Sequence, residues 1–207
     1  MAKWGVEATR QVVVYDQQQG MYAARLWWLL RACGHRAVAL LNGGLAAWSA
    51  RELPLASGPF NAVATPVAAC TMDRQPVIDS AQLAAGLQQR TVLLVDARGA
   101  SRFEGLEEPI DAVAGHIPGA INRPYSENLQ ADGRFKSAAQ LRQEWSSVLA
   151  ARPGATLVHS CGSGVTACHN LFAHAHAGLG QSTLYAPSWS GWIIGGTRAV
   201  ATGKSNL

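Results

Sequence analysis

A block made of an apolar strand, a polar loop, an apolar helix and a second strand is written twice along this chain. Val12–Tyr15 is a run of β-branched and aromatic residues and reads as a strand. After the Gln17–Gly20 loop, Met21–Ala32 carries Leu26, Trp27, Leu29 and Leu30 and reads as an apolar helix stopped by Gly34. Ala37–Leu41 is the next strand, Asn42-Gly43-Gly44 a turn, and Leu45–Ser49 a short helix holding Trp48. Far downstream, Ala155–Ser160 reads as a short buried strand opened by the breaker pair Pro153-Gly154. Val165, Cys168, Leu171, Phe172 and Ala175 then recur at helical spacing. Asp16 and Ser160 stand 144 positions apart (160 against 16), as do Trp48 and Trp192 (192 against 48). Strand, loop, helix, strand, turn and tryptophan thus fall in step without a gap. Gln17 in the first block stands where the second has Cys161.

Between the blocks, residues 54–76 read as a linker punctuated by Ser57-Gly58-Pro59, Pro66 and Pro76. Val77-Ile78 predicts a short strand, and Asp79 or Ser80 caps a helix through Gln89. Thr91–Val95 predicts a strand that ends in Asp96-Ala97-Arg98, and Gly115–Asn122 a turn leading into another buried strand. Ser137 to Gln140 is a capping box, whose helix buries Leu141, Trp145, Val148 and Leu149. Strands alternating with helices argue an α/β fold with a parallel, doubly wound sheet. Ligands bind such sheets at the carboxyl ends of the strands, where Asp96, Cys161 and Ala186 fall. The expected organisation is a partial domain over 1–53, a linker over 54–76 and a complete domain over 77–207. Nothing ahead of the first block matches residues 77–150. A half-domain leaves an unpaired strand edge and an uncovered apolar helix, so self-association is expected. Trp27 and Trp28 buried within one chain would count against it.

Composition narrows the partners. The 207 residues carry a formal charge of +4, with basic residues scattered rather than clustered. That excludes a nucleic-acid surface and suits a small anionic substrate. The Leu26–Leu30 run is too short to span a membrane, and no leader peptide is expected. Cys33, Cys70, Cys161 and Cys168 show neither metal nor disulfide spacing, which points to a reducing, cytoplasmic compartment. His169, His174 and His176 share no helix face, and His159 lies off that helix, so neither a metal nor another cofactor is expected.

The chemistry concentrates in Cys161-Gly162-Ser163-Gly164-Val165-Thr166. It is a tight strand-to-helix loop that starts with a thiol. Glycines let its backbone curl with amides inward, and the helix N-terminus adds its dipole. Such settings lower a cysteine pKa from about 8.5 to roughly 3.5–7.5. A packing cysteine, the commoner role for a lone thiol, has no need of Gly-Ser-Gly behind it.

The string Cys-Gly-Ser-Gly-Val-Thr-Ala resembles the active-site loop of the rhodanese (sulfurtransferase) superfamily, in its mercaptopyruvate-type version. The likeness runs from about Val77 to Gly203, and more thinly through residues 4–50. It implies a rhodanese-like doubly wound sheet, one complete domain preceded by a partial repeat. It also implies sulfur transfer from 3-mercaptopyruvate or thiosulfate, through a Cys161 persulfide, to a thiol such as thioredoxin or to cyanide. Arg102 would bind the substrate carboxylate, and Gly162, Ser163, Gly164, Val165 and Thr166 would cradle the reacting sulfur. Ser163 matches a residue that, in mercaptopyruvate enzymes, joins a relay with partners from the first domain; those partners are absent here. Asp96 and Arg98 read as a structural ion pair, and His116 as a turn residue. Pro187 and Gly191 depart from the family's usual residues. A phosphatase of the same fold needs arginine where this chain has Ala167. A non-catalytic interaction module is the remaining alternative.

Overall fold

The structure is a computed structural model that describes residues 2–7, 9–65, 70, 72–73 and 75–204. Pro66 of the expected linker lies outside these residues. Strands β3 (Val92–Asp96), β4 (Ile121–Asn122), β5 (Thr156–Ser160) and β6 (Thr183–Leu184) form a parallel four-stranded sheet in the order β4-β3-β5-β6. A second parallel pair joins β1 (Val12–Val14) to β2 (Val38–Leu40). The helices are α1 (Met21–Ala32), α2 (Gly44–Ser49), α3 (Ser80–Gln88), α4 (Ala100–Glu104), α5 (Ala138–Ala150), α6 (Thr166–His176) and α7 (Ser188–Ile193). The Val77-Ile78 strand reduces to one bridge between Val77 and Leu184.

Local chemistry sets these boundaries. Asp79 and Gln82 form a capping box at α3, and Ser137 and Gln140 form one at α5. Each satisfies helix-end amides that would otherwise lack partners. Alternation along β3 divides the core between the two faces of the sheet. Leu93 and Val95 pack with Leu141 and Trp145 of α5, whereas Val92 and Leu94 pack with Leu83, Phe103 and Trp189. Burial on both faces is what a doubly wound parallel sheet requires.

The 144-residue offset carries onto the elements: α2 and α7 begin and end that far apart (188 against 44, 193 against 49). β1 and β5 differ in their neighbours. β5 lies between β3 and β6, whereas β1 pairs only with β2 among the described residues. Val13 and Tyr15 are more than half exposed. The expected bare strand edge is therefore present, but the expected bare helix is not. Trp27 and Trp28 keep only 7% and 3% of their surface, because α1 packs against α6 within one chain. Trp27 meets Phe172 edge to face at 5.1 Å. The apolar-helix half of the case for self-association is thereby corrected.

Cysteine spacing also misled. Cys33, at the end of α1, is bonded to Cys70, 37 residues away. No motif marks such a pair, because proximity in the fold creates it. The argument from spacing to a reducing compartment loses its premise. No helix among the described residues is long and apolar enough to cross a membrane.

Candidate active site

Register builds the site. β3 and β5 pair so that Asp96 lies beside Ser160, and the Ala97 amide donates to the Ser160 carbonyl at 2.8 Å. The residues that follow each strand, Ala97-Arg98 and Cys161-Gly162, therefore leave the sheet side by side. They line a cavity of about 440 Å³, with Arg102, Asp111, Ser163, Val165 and Thr166 on the same wall. Met21 and Tyr22, at the start of α1, line it from the first block.

Cys161 sits at the floor, 2% exposed. The Gly164 amide donates to its Sγ at 3.1 Å. Gly164 has a φ of +79°, and a Cβ there would lie 2.6 Å from the Ala186 carbonyl oxygen. Only glycine lets the loop pass so close with its amide turned inward. The amides of Gly162, Thr166 and Ala167 make no hydrogen bond among the described residues. Gly162 and Thr166 line the cavity, and Thr166 and Ala167 open α6.

The first block shows what such a ring of amides holds. There the Asp16 carboxylate accepts from the amides of Gln18, Gly20, Tyr22 and Ala23 at 2.8–2.9 Å. At the 144-residue offset these are Gly162, Gly164, Thr166 and Ala167. The first cradle is filled by its own carboxylate. In the second, Ser160 takes the aspartate's place, and the Gly164 amide donates to Cys161 Sγ instead.

The second free cysteine is chemically different. Burial pushes the Cys168 thiol up to about 12, against the opposing effect of Arg25. Its Sγ donates to the Gly164 carbonyl at 3.4 Å. Arg25 Nη1 reaches the same carbonyl at 3.4 Å and Cys168 Sγ at 3.5 Å, so a residue of α1 steadies the loop.

Arg102 lines the cavity, but it is not a free cation. Its Nε and Nη2 donate to Glu108 at 3.1 and 2.6 Å, and Nη2 also faces Asp111 Oδ2 at 3.4 Å. A Cβ on Gly162 would sit 3.6 Å from Arg102 Nη1, so the small residue keeps that nitrogen open to the cavity. Burial alone would raise the Glu108 pKa. Hydrogen bonds from Arg102 and from the Asp111 and Ile110 amides overturn this and hold it below the usual 4.5. Arg98 is pinned by Asp96 at 2.8 Å and by the Gly115 carbonyl, and lies over the Trp189 ring. It braces the loop. His116 bonds the Phe103 carbonyl at 2.8 Å and stacks on that ring, far from a role as base.

Sequence reasoning missed Ser188. Its Oγ accepts from the Cys161 amide at 3.1 Å and donates to the Tyr185 carbonyl at 2.9 Å. Its φ is +54°, and Gly44, its counterpart at the offset, has +58°. That glycine was the available signal. Gly191 and Pro187 explain each other, since a Cβ at 191 would lie 2.4 Å from Pro187 Cβ. Ser188→Ala is expected to destabilise the fold by about 1–3 kcal/mol, by leaving a buried amide and carbonyl unsatisfied. Urea unfolding checks this, and an unchanged midpoint would contradict it.

The chain matches the Rhodanese-like domain over residues 2–51 and 79–194. It is 50% identical to a probable 3-mercaptopyruvate sulfurtransferase of Pseudomonas aeruginosa, over 97% of this chain and 70% of that protein. It is 39% identical to the 3-mercaptopyruvate sulfurtransferase of Homo sapiens, over 92% of this chain and 65% of that one. With the thiosulfate sulfurtransferase of Gallus gallus it shares 35%, over 93% and 67%. The chain thus spans about two thirds of the length of these relatives. Among solved structures, the Tum1 protein of Saccharomyces cerevisiae superposes with a TM-score of 0.81 at 24% identity, over 99% of this chain and 73% of that one. The complex of EanB/C339A/C370A with hercynine gives 0.86 at 20%, over 99% and 53%. These two likenesses show the fold alone. With the matched domain and these sulfurtransferase relatives in hand, the chain belongs to the rhodanese family.

Proposed function

We propose that this chain is a sulfurtransferase that moves a sulfur from 3-mercaptopyruvate, through a persulfide on Cys161, to a thiol or cyanide acceptor. The carrying observation is the amide cradle. Gly164 N–H already donates to Cys161 Sγ, and the amides of Gly162, Thr166 and Ala167 are open where their counterparts hold a carboxylate. Such a ring stabilises negative charge on sulfur before and after transfer. Cys161 thiolate attacks the donor sulfur, and the carbon–sulfur bond breaks toward carbon. Pyruvate leaves as its enolate, and the donor's thiol proton ends on C3. The outer sulfur stays on Cys161 as an anionic persulfide. An acceptor thiolate then attacks that sulfur, and Cys161 leaves as thiolate. Thioredoxin is the proposed protein acceptor.

Arg102 is assigned the substrate carboxylate through Nη1, with Ser163, Val165 and Thr166 shaping the wall. Thiosulfate is the second reading. The pairing of Arg98 and Arg102 with carboxylates favours the singly charged donor. Residues 1–53, 54–76 and 77–207 are proposed as partial domain, linker and catalytic domain. In that division Met21 and Tyr22 contribute wall while Asp16 closes the first cradle. The cytoplasm is the proposed compartment, and the Cys33–Cys70 bond is the observation that stands against it.

Intact mass tests the proposal. Incubation with 3-mercaptopyruvate is expected to add one sulfur atom, which a thiol then removes. A mass that never changes defeats it.

A further inference from the structure

Asp111 has no place in the reaction as described, yet it faces the one arginine assigned to substrate. A guanidinium offers paired N–H groups on a side edge, Nε with Nη2, and on an end edge, Nη1 with Nη2. Glu108 occupies the side edge of Arg102 with both contacts, at 3.1 and 2.6 Å, and its side chain is only 4% exposed. The end edge turns toward the cavity, with Nη1 open beside Gly162. A carboxylate arriving there needs one proton from each Nη. The Nη2 proton already points to Asp111 Oδ2 at 3.4 Å, and Asp111 itself lines the cavity. The long contact and its position on the wall mark it as the weaker of the two carboxylate partners.

We propose that Asp111 is a specificity-determining residue: an internal carboxylate that holds half of the substrate's seat on Arg102 and repels incoming anions in proportion to their charge. The proposal rests on the sulfurtransferase reading for its meaning, though not for its test. Five charges meet in this network: the cations Arg98 and Arg102 and the carboxylates Asp96, Glu108 and Asp111. Arg98 is spent on Asp96 and Arg102 on Glu108, so Asp111 tips the balance negative. A monoanion such as 3-mercaptopyruvate pays one unit of repulsion against the gain of Arg102. A dianion such as thiosulfate meets twice that. One side chain thus sorts donors by charge where the cradle of amides does not.

The experiment is anion binding by calorimetry at low salt, in the Cys161→Ser background so that no transfer occurs. Pyruvate probes the single charge and thiosulfate the double. Asp111→Asn is expected to tighten pyruvate roughly tenfold and thiosulfate roughly a hundredfold, from removal of one charge at about 6 Å across a solvent-open wall with an effective dielectric of about 40. Asp111→Ser serves as the second variant should the first fold poorly, and the same ratio is expected. Equal changes for the two anions, no change, or no measurable binding of either anion to any of these proteins overturns the proposal. A persulfide that never forms on the wild-type chain, beside binding shifts of the stated kind, would sink the sulfurtransferase reading and leave this one standing.

Discussion

Replacing Cys161 with serine is expected to abolish sulfur transfer, with a loss of at least about 10³-fold in turnover, as for other enzymes stripped of their nucleophile. The hydroxyl fits the same floor, and the Gly164 amide still has an oxygen to meet. What is lost is a polarisable sulfur able to bond a second sulfur. Cys168 does not substitute. Its thiol is held up to about 12 by burial and is engaged with the Gly164 carbonyl. Two variants therefore separate the thiols. Cys161→Ser should show no mass gain with 3-mercaptopyruvate and a wild-type circular dichroism spectrum. Cys168→Ser should still gain one sulfur. A persulfide mapped to the peptide holding Cys168, or residual turnover within tenfold of wild type in Cys161→Ser, would move the chemistry off the cradle.

Much of this was legible in the sequence because helical period, capping and offset are local signals. The α1 stripe and the Ser137 capping box depend on residues three or four apart, and both stand where the sequence puts them. The offset survives because each block folds under the same short-range rules. α4 was missed because five residues are too few to display a period. The Glu108 clamp was missed for another reason. Arg102 was read alone, as a cation beside a nucleophile, while its partner lies in a loop whose path no periodicity describes. Asp16 was likewise read only as a marker of register. Its role as occupant of the first cradle emerges from four backbone amides, whose directions the sequence does not write. Cys33 and Cys70 belong to the same class, being neighbours through the fold and strangers along the chain.

Acid is expected to loosen this fold well above the range where carboxylates titrate, because several histidines are buried, His169 among them. It lies on α6 and is fully buried, stacked on Phe135 at 4.5 Å. Asn128 Nδ2 lies 3.2 Å from its Nδ1 and the Gln19 carbonyl 3.2 Å from its Nε2, which assigns the neutral tautomer with the proton on Nε2. A second proton on Nδ1 would face the amide of Asn128. Burial lowers its pKa to about 4, against the Gln19 carbonyl and Asp16, which pull upward. Above pH 6.5 the folded and unfolded chains both hold neutral imidazole, so this group adds no pH dependence. Between about 6.5 and 4 the unfolded chain takes the proton and the folded chain does not, which removes about 3 kcal/mol in all. Burial lowers His159 and His174 too, so they act in the same direction. Glu108 and Glu144, held below 4.5 chiefly by their ion pairs against burial, lose their contribution only as the pH falls further. Urea midpoints should fall steadily from pH 7 to pH 5, and His169→Gln should flatten that slope while lowering stability at pH 7. A wild-type midpoint that stays level across that interval would show that α6 and the first-block loop, which His169 ties together, do not depend on a neutral imidazole.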